Sequence, residues 1–223
     1  MSLPRSVHAV VCDMDGLLVD SEAMFRDVMF EAAAVRGLAL PEPVFLRMVG
    51  LPAAASRAVT LDHFGADFDY EAWDEEVARL ARVRIAAGIP LKPGAVELLD
   101  YLEAVGLPRA VATSSGHATV ERQLGPSGLA VRFQSVVAGG DYARGKPHPD
   151  PFLLAAERLG VAPENCVALE DSHNGVRAAH AAGMMTVMVP DLLSATEEMR
   201  KLCVAIVADL HDARAMIARR RAI

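Results

Sequence analysis

The sequence predicts an α/β protein in which helices flank a parallel sheet. Apolar runs of strand length alternate with helical patterns along most of the 223 residues, and this alternation is typical of parallel sheets. Polar side chains follow the apolar runs, and one long stretch near the start of the chain is helical by composition alone. We therefore expect a sheet core with its functional residues at strand ends, and a helical insert after the first strand.

The apolar runs are short and bounded by polar residues, as the strands of a buried sheet are. They are His8–Cys12, Ala110–Thr113, Ser135–Ala138, Cys166–Glu170 and Thr186–Val189. Helical patterns fill the gaps between these runs. They cover Gly94–Val105, Ala118–Leu124, Asp150–Leu159 and Gly175–Ala182, with Gly183 as the expected helix end.

The stretch Leu17–Gly88 is interpreted as the helical insert. It has no convincing strand and contains three segments of helical composition: Phe25–Val35, Ala55–Phe64 and Glu71–Ala87. Its exit, Gly88–Gly94, is rich in proline and glycine, which indicates a hinge or linker. We therefore predict an α/β core of residues 1–16 and 89–223 and a helical subdomain of residues 17–88.

Composition and charge exclude several function classes. The formal net charge is −7, and because binding to a phosphate backbone needs clustered lysine and arginine, nucleic acid is not an expected partner. The basic cluster Arg219–Arg221 is interpreted as an exposed helix end. No apolar run approaches the roughly 18–20 residues of a membrane span, and the apolar run before Asp13 is too short for a secretory signal. We expect a cytoplasmic monomer that binds neither nucleic acid nor membrane.

Two carboxylates follow the first apolar run with one residue between them, in the segment Asp13-Met14-Asp15-Gly16. Like charges at such spacing are unfavourable unless a cation or a proton lies between them. Mg²⁺ fits this position, because it takes oxygen ligands and usually keeps waters and substrate phosphate oxygens in its shell. A solvated turn at a strand end is the alternative for this motif taken alone.

Three further strand ends carry residues suited to phosphate and metal. Val111–Ser115 offers hydroxyls and small-residue backbone N–H groups, which are suited to phosphoryl oxygens. Gly145–Asp150 holds Lys146 in a proline-bracketed loop, as a point charge for phosphate and carboxylate. Leu169–Ser172 ends another apolar run with a second acidic pair that is suited to completing a metal shell.

With these four motifs in this order, the sequence strongly resembles the haloacid dehalogenase superfamily. The motifs are Asp13-Met14-Asp15-Gly16, Thr113-Ser114, Lys146 and Glu170-Asp171. The resemblance spans about Val7 to Val189 and is to the branch with a small helical cap, which includes sugar-phosphate phosphatases and β-phosphoglucomutase. It implies a Rossmann-like parallel sheet core with an inserted helical cap, and a Mg²⁺-dependent phosphatase that acts on a small phosphorylated metabolite.

The resemblance also implies residue roles. Asp13 would be the nucleophile that becomes an aspartyl-phosphate, and Asp15 would protonate the leaving alcohol and then activate water. Mg²⁺ would be held by Asp13, the main-chain carbonyl of Asp15 and Asp171, with Glu170 bound directly or through water. The transferring phosphoryl group would be bound by Thr113, Ser114 and Lys146.

Two alternative functions stay open. The first is a phosphomutase, which returns the phosphoryl group to the substrate, although Phe25 stands where the mutase pattern has a His and the segment Gly50–Ala53 lacks its cap Arg. Arg47 or Arg57 could replace that Arg. The second is a non-catalytic binding domain, although no motif residue is lost. True dehalogenases lack an acid two residues after the nucleophile, so Asp15 indicates phosphoryl chemistry. The insert is expected to set the substrate, which the sequence does not identify.

Overall fold

The computed structural model describes residues 3–49, 51 and 53–221, and it divides into two compact units. One unit joins the chain up to Asp20 with the chain from Pro90 onward, and the other is Ser21–Ile89. The sequence predicts the helical insert at Leu17–Gly88, which differs from the second unit at both ends. Residues 17–20 fall in the first unit because the backbone N–H of Lys92 donates to Leu18, at 2.9 Å, and that of Asp20 donates to Pro90, at 2.8 Å.

The first unit contains a parallel sheet. Within the described ranges its strands are β1 (Ala9–Cys12), β2 (Arg109–Gly116), β3 (Ser135–Gly139), β4 (Cys166–Glu170), β5 (Met185–Met188) and β6 (Ala205–Ile206). Their order across the sheet is β3-β2-β1-β4-β5-β6, and every paired neighbour runs parallel. All residues of β1, β4 and β5 are buried, as expected for strands covered on both faces. The predicted α/β fold class is confirmed.

Helices connect these strands, as parallel pairing requires. Those of the first unit are α5 (Ala95–Ala104), α6 (His117–Leu124), α7 (Asp150–Leu159), α8 (His173–Ala181), α9 (Glu197–Leu202) and α10 (Leu210–Arg221). One face of the sheet is covered by α7, whose Phe152, Ala155 and Ala156 are buried in a cluster with Val11 and Ala168. This packing anchors the segments that follow β1 and β4.

The second unit is helical. Its helices are α1 (Ser21–Val35), α2 (Glu42–Leu46), α3 (Ala53–Phe64) and α4 (Tyr70–Ala87). The side chain of Asp69 caps α4 by accepting a hydrogen bond from the N–H of Ala72 at 3.0 Å. Trp73 is buried against the rings of Phe68 and Tyr70, and these aromatic contacts help to stabilise the unit.

The sequence pattern located most of the longer elements, but it gave only the end of α10, at Arg219–Arg221, and it missed the shortest elements. The predicted and observed bounds agree to within a few residues for the first five strands. The pattern did not indicate α2, α9 or β6, because segments of two to six residues are too short to show a period. Among the described residues, no helix has both the length and the apolar character needed to cross a membrane.

Candidate active site

The register of the sheet brings the predicted site residues to one edge. Cys12 pairs with Val111 on one side and with Leu169 on the other, so Asp13 and Glu170 leave their strands at the same level. The backbone N–H of Asp13 donates to the carbonyl of Leu169 at 3.0 Å, which continues the ladder by one residue. The carboxyl ends of three adjacent strands therefore present their side chains together.

Lys146 reaches two of these acids from the loop before α7. Its Nζ donates to Asp13 Oδ1 at 2.5 Å and to Glu170 Oε1 at 2.5 Å. The three side chains are almost completely buried, with Lys146 6% exposed and Glu170 0%. Such short, charge-assisted contacts in a buried setting fix the position of the Asp13 carboxylate.

A third acid completes this group. Asp13, Glu170 and Asp171 each offer a carboxylate oxygen, and the three atoms lie within 4.8 Å of one another. A Cβ at Gly16 or Gly175 would collide with Asp171 or Glu170, so glycine is needed for the acids to approach these turns. Lys146 contacts two of these three carboxylates, and an all-oxygen donor set of three acids fits a hard divalent cation.

Glu170 is oriented by the start of α8. Its Oε2 accepts hydrogen bonds from the Ser172 N–H at 3.1 Å and the Ser172 hydroxyl at 3.0 Å. The Ser172 Oγ in turn accepts from the N–H of Gly175, which caps the helix. Ser172 therefore caps α8 and orients the side chain of Glu170, whose Oε1 accepts the hydrogen bond from Lys146.

Burial and charge act in opposite directions on the central pair. Burial, aided by the charges of Glu170 and Asp15, raises the pKa of Asp13 to about 8 despite the lowering effect of Lys146. Burial alone would lower the pKa of Lys146, but the charges of Asp13 and Glu170 outweigh it and raise that pKa above its ordinary value. Lys146 therefore stays cationic, and it cannot neutralise all of its acidic neighbours.

The carboxylate of Asp15 is held by a different partner. Its Oδ2 accepts a hydrogen bond from the Ser115 hydroxyl at 2.8 Å, at the end of β2. Gly16, with φ +78°, turns the chain so that its N–H donates to the carbonyl of Val19 at 3.0 Å. Asp13 and Asp15 thus have separate environments, one beside lysine and acids and the other beside a hydroxyl.

Thr113 and Ser114 lie at the end of β2. Thr113 is buried and its Oγ1 accepts from the Ser115 N–H at 3.0 Å, while Ser114 is exposed. The Tyr142 hydroxyl donates to the Thr113 carbonyl at 2.9 Å and braces this turn from the segment after β3.

Sequence reasoning did not assign roles to Ser115, Tyr142 or Ser172, although each holds a predicted site residue in place. Ser115 and Ser172 lie beside quoted motif residues, and a search for hydroxyls next to the motifs would have found them. No comparable pattern marks Tyr142, because its contact depends on how two loops meet.

Known proteins are similar to this chain over most of its length. The profile of the haloacid dehalogenase-like hydrolases matches residues 7–183. A Drosophila melanogaster protein named "Probable pseudouridine-5'-phosphatase" is 36% identical over 196 residues, covering 84% of this chain and 83% of the relative. Fructose-1-phosphate phosphatase YqaB of Escherichia coli is 34% identical over 185 residues, covering 81% and 95%.

A solved structure shows the same similarity. The haloacid dehalogenase family hydrolase of Deinococcus radiodurans, crystallised with bound phosphate and sodium, is 27% identical and superposes with a TM-score of 0.83. The alignment covers 96% of each chain. On the matched profile and on relatives more than 30% identical over most of its length, this chain belongs to the haloacid dehalogenase-like hydrolase family.

Proposed function

We propose that the protein is a Mg²⁺-dependent phosphatase that hydrolyses a small phosphorylated metabolite through an aspartyl-phosphate on Asp13. One observation carries the proposal. Asp13 is buried beside Lys146 and two further acids, while the carboxylate of Asp15, two residues away, is held separately by Ser115. A nucleophile and an acid/base need such different environments.

The cation would be held by Asp13, Glu170, Asp171 and the main-chain carbonyl of Asp15. Support comes from the clustered carboxylate oxygens and from the negative excess that Lys146 leaves. Mg²⁺, when bound, supplies positive charge that draws an anionic phosphate to an acidic edge and offsets charge in the transition state.

In the first step a carboxylate oxygen of Asp13 forms a bond to phosphorus while the bond from phosphorus to the ester oxygen breaks. Asp15, protonated, gives its proton to the departing alcohol. In the second step Asp15 takes a proton from water, the water oxygen attacks phosphorus, and the Asp13 carboxylate leaves. The products are the alcohol and inorganic phosphate, and both carboxyl groups return to their starting states.

The phosphoryl oxygens would be bound by Thr113, Ser114 and Lys146. Lys146 is already fixed against Asp13, so its charge lies beside the attacking atom. The Tyr142 hydroxyl holds the carbonyl of Thr113, which leaves the neighbouring backbone rigid enough to present its N–H groups.

The names of the relatives support a substrate class. One is named for a nucleoside phosphate and one for a sugar phosphate, and another, of Escherichia coli, is named hexitol phosphatase B. We propose a sugar or polyol phosphate for this chain.

The mutase alternative is less well supported by the helical unit. Arg47 already pairs with Asp62 at 3.1 Å. Arg57 pairs with Glu71 at 2.6 Å and lies over the ring of Tyr70. Gly50 and Pro52 lie outside the described residues, while Ala53 begins α3 and offers no cation. Neither candidate arginine is without a carboxylate partner, so neither is an obvious anchor for a second phosphate.

The test is ³¹P NMR of a mixture of sugar monophosphates with Mg²⁺, with and without a catalytic sugar bisphosphate. A phosphatase releases inorganic phosphate in proportion to the substrate consumed. Accumulation of an isomeric sugar phosphate with little free phosphate would show a mutase. A binding domain would turn over neither these compounds nor p-nitrophenyl phosphate.

A further inference from the structure

Asp191 is a buried carboxylate that the mechanism above does not use. It follows β5 by three residues, and its side chain is 10% exposed. Lys92 Nζ donates to Asp191 Oδ1 at 2.7 Å. The other oxygen, Oδ2, is buried and has no hydrogen-bond partner within the described part of the chain. A buried acceptor without a donor is unfavourable, and more so when it is charged, so this oxygen needs an explanation.

The unsatisfied oxygen lies beside Gly16, where Asp171 also approaches. A Cβ built on Gly16 would lie 3.2 Å from Asp191 Oδ2 and closer still to Asp171 Oδ2. Because Gly16 has no side chain, carboxylate oxygens of Asp171 and Asp191 both approach the place where a Cβ would lie. Two carboxylate oxygens brought close to one point repel each other unless a donor or a cation lies between them.

We propose that Asp191 is a fourth carboxylate of the metal centre, whose Oδ2 accepts a hydrogen bond from a water of the cation held by Asp13, Glu170 and Asp171. The inference rests on the proposed function for the presence of that cation. Mg²⁺ usually keeps several of its waters, and carboxylates that bind such waters orient and tighten a metal site. A donor on that water satisfies the buried oxygen of Asp191.

Lys92 makes Asp191 a fixed acceptor. It holds Oδ1 at 2.7 Å and reaches Asp20 at 3.4 Å, so it joins three segments of the first unit. Burial lowers the pKa of Lys92, but the hydrogen bond and charge of Asp191, with the charge of Asp20, raise it by more. Lys92 therefore stays charged and leaves Oδ2 as the oxygen that faces Gly16.

The experiment measures cation binding without substrate. Mn²⁺ is titrated into the full chain, and free Mn²⁺ is counted by electron paramagnetic resonance, for wild type, Asp191→Asn and Asp20→Asn. We expect the Mn²⁺ dissociation constant of Asp191→Asn to rise about tenfold or more, in the range found when an acceptor behind a metal ligand is removed. Asp20→Asn removes the same charge from the other partner of Lys92, and we expect a change of about twofold at most.

A second variant separates position from charge. Lys92→Met removes a positive charge near Asp191. If Asp191 acted only through its charge, this variant would bind Mn²⁺ more tightly than wild type. If Asp191 acts through the position of its Oδ2, we expect this variant to bind Mn²⁺ more weakly, because the Asp191 side chain loses its hydrogen bond from Lys92. Melting temperatures are measured in parallel in EDTA and with Mg²⁺, and the rise caused by Mg²⁺ is compared between variants because each variant then serves as its own reference.

The outcomes distinguish this inference from the proposed function. Wild type that binds no divalent cation would overturn both. Wild type that binds Mn²⁺ with an unchanged constant in Asp191→Asn would overturn the role of Asp191 alone. Equal losses in Asp191→Asn and Asp20→Asn, or tighter binding in Lys92→Met, would also overturn it in favour of a general charge effect.

Discussion

Two charged clusters lie at opposite ends of the same sheet. At the amino end of β2, Arg109 pairs with Glu103 at 2.6 Å, and Arg132 bonds both Glu103 and Asp100. At the carboxyl end, Lys146 contacts Asp13 and Glu170, and a carboxylate oxygen of Asp171 lies within 4.8 Å of theirs. The first cluster balances two cations with two acids, and we call it the balanced cluster. The second has surplus negative charge, and we call it the acidic cluster.

The acids of the two clusters also differ in the direction in which their pKa is shifted. The hydrogen bond from Arg132 lowers the pKa of Glu103, whose side chain is partly exposed. Burial raises the pKa of Asp13 to about 8. Ion pairs therefore occur at both ends, and pairing by itself does not mark a functional site. The mark is a group of almost completely buried acids that share one lysine, with the pKa of one acid raised.

Asp13→Asn is the change with the largest expected effect on activity. An amide cannot accept the phosphoryl group, so we expect the turnover number to fall by about 10⁴-fold or more while the fold persists. The measurement is steady-state release of phosphate, with circular dichroism as the check on folding. Asp100→Asn in the balanced cluster is the matched control and should retain wild-type turnover. Near-normal turnover by Asp13→Asn would contradict an aspartyl-phosphate.

Asp15→Asn should have a smaller effect that depends on the leaving group. Loss of the acid/base is expected to cost about 10²–10⁴-fold with alkyl phosphates. With p-nitrophenyl phosphate, whose leaving group needs little protonation, the phosphoenzyme should still form and its hydrolysis should slow. Rapid-quench trapping of labelled phosphoenzyme measures both steps. If Asp15→Asn slowed phosphoenzyme formation equally with alkyl phosphates and with p-nitrophenyl phosphate, Asp15 would not be the proton donor.

Substitutions of Lys146 and Arg132 compare the acidic cluster with the balanced cluster. Lys146→Met leaves Asp13 and Glu170 buried without their partner, and we expect a loss of about 3–5 kcal/mol of unfolding free energy in EDTA. Mg²⁺ should restore part of this loss, because it supplies charge to the same acids. Arg132→Met should cost less and show no recovery with Mg²⁺. Chemical denaturation with and without Mg²⁺ tests this, and equal Mg²⁺ effects on both variants would refute the comparison.

The pH dependence of cation binding is the smallest expected effect. The folded-state pKa of Asp13, at about 8, lies above its unfolded value, so its contribution to stability is present at low pH and lost as pH rises toward 8. Cation binding needs the ionised form, so Mg²⁺ affinity should rise from pH 6 to 8, by at most about tenfold per unit. The pKa of Glu103 is lowered, so Glu103 does not change its charge between pH 6 and 8. Calorimetric titrations at pH 6, 7 and 8 measure the affinity, and a flat profile would exclude this assignment.

The sequence by itself determined which residues meet at the carboxyl edge. Asp13 and Glu170 each end an apolar run, and parallel strands with buried faces bring such ends to one level. The same alternation predicted the sheet and its longer helices, because these elements bury their apolar faces with regular periods. The four motifs in their order identified the family, and the helical insert was visible from composition.

Only the tertiary structure decided which partner each of those residues contacts. Lys146 meets Asp13 across 133 residues of chain, and Asp15 finds Ser115 across 100. Neither contact follows from periodicity, because side-chain directions in loops depend on which distant segments pack against them. For the same reason no pattern indicated that Asp191 lies behind Gly16. Its unsatisfied oxygen exists only once Lys92, Gly16 and the end of β5 have been packed together, since burial and hydrogen bonding are properties of the folded chain.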